Sequence, residues 1–70
     1  MNSNYTAVIK HEAESWIGWI EEIPGVNCQE SSREGLLKSL RETLAEAIEL
    51  NRAEALEAVG YDFEELSIAI

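Results

Sequence analysis

The sequence predicts a small α+β domain in the order β-β-β-α-β, a mixed sheet covered by a single helix layer. Three features predict it. Tyr5 to Lys10 alternates with a period of two, Trp16 to Ile23 is an aromatic and β-branched run closed by Pro24-Gly25, and Leu and Ile recur at helical spacing from Leu36 to Ile48.

In the first strand Tyr5, Ala7 and Ile9 share one face and Thr6, Val8 and Lys10 the other. The polar stretch His11 to Ser15 reads as a turn, and without an Asn-Gly or Asp-Gly pair a loop of four or five residues is expected. The second strand carries apolar side chains on both faces, Trp16 and Ile20 on one, Ile17, Trp19 and Ile23 on the other. Pro24 sets φ for a turn and Gly25 supplies its positive-φ position. A short third strand from Val26 to Gln29 returns beside the second.

Ser31 or Ser32 caps the helix, Ser31 having capping-box spacing to Glu34. Leu36, Leu37, Leu40, Leu44, Ala47 and Ile48 then form one stripe, with Lys38, Arg41, Glu42, Glu46 and Glu49 turned away. The pattern weakens past Asn51, where it does not distinguish a continuous helix from a kinked one, and Gly60 is the expected stop. Glu65 to Ile70 alternates again and reads as a last strand. A right-handed crossover would set it parallel to the third.

Seventy residues make one domain, 1–70, with a single core, since a chain this short buries only about 60% of its unfolded surface. One cysteine, Cys28, forms no internal disulfide and fits a reducing compartment. Apolar runs are far below the roughly 20 residues of a membrane span, and the N-terminus lacks the pattern of a signal peptide, so a cytoplasmic protein without membrane contact is expected. The net charge of -9 opposes phosphate backbones, and the basic residues Lys10, Arg33, Lys38, Arg41 and Arg52 form no stripe. Direct nucleic-acid binding by this chain is disfavoured and a basic protein partner is the natural complement, although acidity also serves solubility.

One helix layer covers one sheet face. Gly18, between Trp16 and Ile20, lets a helix approach closely, which puts Tyr5, Ala7, Ile9, Trp16, Ile20, Val26 and Cys28 beneath it. The other face then presents Thr6, Val8, Lys10, Ile17, Trp19, Glu21, Asn27 and Gln29 as a recognition patch; a register shift of one residue would exchange the two faces. Ile17, Trp19 and Glu21 are the expected contact residues, with Glu12 and Glu14 adding long-range attraction. Self-association into a homodimer or higher homo-oligomer is a second use of the same patch.

Catalysis is not expected. His11 is the lone histidine and reads as a solvated turn residue; with Cys28 it makes neither a zinc site nor a nucleophilic pair. Adjacent carboxylates such as Glu21-Glu22 face opposite sides of a strand, and no glycine-rich phosphate loop is present. No cofactor or metal is called for.

The stretch Trp16-Ile17-Gly18-Trp19-Ile20-Glu21-Glu22-Ile23-Pro24-Gly25-Val26-Asn27-Cys28-Gln29 resembles the HicB signature: an aromatic-rich strand, an acidic and an aliphatic residue, Pro-Gly, and a short strand ending in Gln. Ser32 to Leu50 is similar to the helix of that family, and the resemblance spans about Tyr5 to Leu50. It implies a truncated ribonuclease H-like fold without catalytic acids. It also implies the role of an antitoxin in a type II toxin-antitoxin system, covering the active-site region of a HicA toxin, a small basic ribonuclease that cleaves mRNA with a histidine. The alternative is a stand-alone HicB-like homo-oligomeric interaction domain with no toxin. Two positions depart from the pattern: Glu21 stands where proline is frequent, and Gly35 is an unusual choice for a first helical turn. Many relatives carry a C-terminal DNA-binding domain, whereas this sequence stops after the predicted last strand, so the expectation is the compact form and autoregulation is in doubt.

Overall fold

A computed structural model describes residues 4–69. Three strands, β1 (Ala7–Glu12), β2 (Ser15–Ile20) and β3 (Asn27–Glu30), precede one helix, α1 (Arg33–Val59). The sheet has the order β1-β2-β3 and both pairings are antiparallel. The α+β class and the order of these four elements agree with the expectation. The mixed sheet does not form among the described residues. Residues 60–69 are in neither helix nor strand, so the predicted crossover strand, whose final residue Ile70 lies outside the described residues, is absent there.

The first hairpin is tighter than the sequence suggests. Glu12 pairs with Ser15, which leaves Ala13 and Glu14 as a two-residue turn, with Ala13 at φ 56°. Two-residue hairpin turns demand positive φ, and alanine accepts it here at a cost of roughly 1–2 kcal/mol. In consequence His11 is a strand residue, not a turn residue. Its ring stacks on Trp16 at a centroid distance of 4.4 Å and an interplanar angle of 3°. After β2, Gly25 at φ 91° turns the chain, and the Ile20 amide donates to the Val26 carbonyl at 3.1 Å to start the return.

Ser32, and not Ser31, caps α1: its Oγ accepts from the Gly35 amide at 3.0 Å. This accounts for Gly35, because a Cβ there would sit 2.9 Å from that same oxygen. The helix runs unbroken through Asn51 and ends at Gly60, whose φ of 79° lets its amide return to the Leu56 carbonyl.

The core comprises Ile20, Val26, Leu36 and Leu40, flanked by half-buried Ile9, Trp16, Ile23, Cys28, Leu44 and Ala47. Gly18 sits at its centre. A Cβ there would lie 2.8 Å from Leu40 Cδ1 and 3.1 Å from both Ile9 Cγ2 and Leu36 Cδ2, which is the close helix approach that the glycine permits. Two polar ties fix the other edge: Cys28 Sγ lies 3.5 Å from Thr43 Oγ1, and Ser39 Oγ donates to Glu30 at 2.6 Å. No helix of the described residues is long and apolar enough to cross a membrane.

The molecule is elongated, 51 × 23 × 16 Å, with a radius of gyration of 15.0 Å against about 11 Å for a compact chain of this length. The sheet occupies only the first half of α1. The core stripe runs out at Asn51 and Glu54, and beyond it the helix projects away from the sheet.

Candidate functional site: the uncovered sheet face

The strand register sorts the side chains into two faces. Val8 pairs with Trp19 and Trp19 with Asn27; Lys10 pairs with Ile17 and Ile17 with Gln29. These rows lie opposite the Ile9, Gly18 and Cys28 row that meets the helix. The expected face assignment therefore stands for Ile9, Trp16, Ile20, Val26 and Cys28, and the alternative register does not occur. Tyr5 and Ala7 stay exposed, and Ile23, expected on the face of Trp19, packs against the core because β2 ends at Ile20 and alternation stops there.

At the centre of the uncovered face Val8 is 44% and Trp19 42% exposed, a cross-strand apolar pair open to solvent. Ile17 lies beside it, half-buried. Polar groups frame the pair. On one side Gln29 Nε2 donates to Ser15 Oγ at 3.0 Å, and Lys10 Nζ lies 3.7 Å from Glu12. On the other, the Glu21 amide donates to the Thr6 carbonyl at 2.9 Å, extending the ladder one residue past β2.

Strand alternation keeps Ile17, Trp19, Glu21 and Glu12 on this one face, Glu21 and Glu12 at opposite ends. Glu14 lies apart from them, exposed in the hairpin turn next to Glu12. The face is thus an apolar centre about two residues long with a carboxylate at each end. One anchor is structural: Glu22 accepts the Thr6 amide at 2.8 Å, and that hydrogen bond holds its carboxyl below the ordinary value.

His11 and Cys28 lie on the helix-facing side with β2 between them, on strands about 10 Å apart, beyond hydrogen-bond reach. Among the described residues no three His, Cys, Asp or Glu side chains gather as a metal site.

A second exposed apolar region was not anticipated. Leu50, Val59, Phe63, Leu66 and Ile68 are all exposed, at 58, 54, 44, 76 and 85%. The signal was present in the sequence, since the stripe of Leu36, Leu40, Leu44 and Ala47 has no apolar successor at Asn51 or Glu54. Arg52, Ala55, Leu56 and Val59 form a new stripe, rotated by roughly a third of a turn.

The chain matches no family model, no curated protein and no solved structure.

Proposed function

We propose that this chain is a HicB-type antitoxin that masks a small basic HicA-type ribonuclease in the cytoplasm, acting by binding and not by catalysis. The observation that supports this best is the solvent-open Val8–Trp19 pair on a sheet face that the helix leaves bare, with Glu21 and Glu12 at its ends. An aromatic anchor ringed by polar groups is the usual centre of a protein interface, and a net charge of -9 draws a basic partner towards it. The resemblance over Trp16 to Gln29 supplies the identity of that partner and the finer assignment, a truncated ribonuclease H-like fold. The β-β-β-α order is compatible with that assignment.

The test is co-expression with a small basic HicA-type protein, sought first among the products of the adjacent genes. A complex should co-purify at low salt and weaken as salt rises. Trp19→Ala should raise its dissociation constant by roughly 30-fold, as loss of a central aromatic anchor does, with the fold unchanged by circular dichroism. If neither protein retains the other at low salt, the masking role is wrong. The exposed apolar side chains from Leu50 to Ile68 favour a second reading, a homo-oligomeric interaction domain with no toxin.

A further inference from the structure

The sheet has two unpaired edges, and a groove lies beside that of β1. The Thr6 carbonyl accepts from Glu21, so by alternation Val8 and Lys10 also bond towards β2, while the amides and carbonyls of Ala7, Ile9 and His11 point outwards. At the opposite edge β3 is only four residues long and is tied to the helix through Cys28 and Glu30. The helix packs over β3 and β2 and leaves β1 largely bare, so that a groove of about 430 Å³ opens between Tyr5 and Ala7 of the sheet and Leu37 and Leu44 of the helix, with Arg41 at its rim. An open strand edge beside an apolar groove is a site for one more strand.

The chain carries a segment of the matching pattern. Phe63 to Ala69 brings Leu66 and Ile68, 76 and 85% exposed, on alternate positions. That segment folds back along its own helix: Phe63 lies with Ala55, Leu56 and Val59, and Glu65 is 3.5 Å from Arg52. It cannot fill its own groove while the helix is whole. From Val59 back to the level of Leu44 is about 22 Å at the helical rise. About seven extended residues cover that distance, so Leu66 would only be arriving at the groove mouth.

We propose that the segment from Phe63 to Ala69 of one copy adds as a fourth strand to the β1 edge of a second copy, reciprocally, in a two-fold dimer. The helix halves that project past each sheet lie side by side and opposed, which carries each tail to the other copy's groove. Leu66 and Ile68 enter between Tyr5 and Leu44, and Glu64, on the same face of the added strand, approaches Arg41. Exchange of identical elements closes both edges at once, because a two-fold interface uses each surface twice. The proposal is independent of any toxin.

Light scattering on the full chain at about 100 µM should give twice the 7.8 kDa chain mass, with dimerisation strengthened by salt because two chains of charge -9 repel. Two variants should each raise the dimer dissociation constant by more than about tenfold without loss of helical circular dichroism. Ala7→Pro removes an outward amide, and Leu66→Asp with Ile68→Asp alters only exposed side chains, which keeps the test valid should the proline variant unfold. Mixing the two variants should restore a heterodimer, since one groove and one tail remain intact in that pair. A wild-type mass of 7.8 kDa, a dimer indifferent to the tail variant, or a dimer dissociated instead by Trp19→Asp on the open sheet face would each overturn the proposal.

Discussion

The two halves of α1 are built from the same kinds of residue and meet different fates. In the first half Leu36 and Leu40 are 0 and 2% exposed against the sheet. In the second, Leu50 and Val59 are more than half exposed, and Leu56 is only half-buried. Helical propensity is comparable in both, since the second half is rich in Ala, Glu and Leu. The difference is what lies beneath. A helix in water gains most of its stability from burying an apolar face, and three strands are wide enough to do that for the first four turns only. The first half therefore holds the fold together, and the second is a projecting arm whose apolar side chains are available to another surface.

The sharpest way to break this comparison is to truncate one leucine in each half. Leu36→Ala should lower unfolding free energy by about 2–5 kcal/mol, as buried leucine truncations do. Leu50→Ala should cost well under about 1 kcal/mol in the monomer, because more than half of its surface is already in water. Urea titrations of both variants decide it; equal losses would mean that the arm is as much a part of the folding unit as the sheet-packed half.

A smaller effect probes why the first half can come so close. Gly18→Ala places a methyl group 2.8 Å from Leu40 Cδ1, and the crowding should cost roughly 1–3 kcal/mol. Combining it with Leu40→Ala, which makes room, should recover part of the loss, whereas simple additivity would argue against contact at this position.

The smallest effect concerns the end of the sheet from which the arm departs. Glu22 is exposed and its carboxyl is held below the ordinary value by the Thr6 amide. A carboxylate lowered in the folded state contributes stability above its unfolded pKa and loses it as pH falls through the folded one. Replacing it, Glu22→Gln, should lower stability slightly at neutral pH, leave it nearly unchanged below the folded-state pKa, and so flatten the acid limb of a stability-against-pH curve. An undiminished acid slope would show that the bond to Thr6 carries none of it.

Much of this architecture was legible in the residues themselves. Alternation located β1 and β2 to within two or three residues, the hydroxyl-rich Ser31-Ser32 pair marked the helix start, and Gly60 marked its end. The face assignment followed from Gly18, because an absent side chain in an aromatic strand has few uses other than close approach. The two-residue hairpin turn is not legible in the sequence, because Ala13 takes a positive φ that alanine seldom adopts, a choice made by strand pairing and not by local preference. His11 moved with it, from turn to strand.

The sequence by itself determined what each segment prefers: extended runs at Tyr5 to Lys10, Trp16 to Ile23, Val26 to Gln29 and Glu65 to Ile70, a helix from Ser32 whose continuity past Asn51 stayed open, an acidic surface and a bare apolar pair at Val8 and Trp19 once a register is given. These follow from periods of two and 3.6 and from charge, which are properties of neighbours along the chain. Tertiary structure alone decided how far the sheet reaches beneath the helix, and hence that the last turns of α1 stand clear of it and that residues 60–69 form no fourth strand. The reason is geometric. A pattern specifies which side of an element is apolar, but the length of surface available to cover that side is fixed only when the other elements are in place.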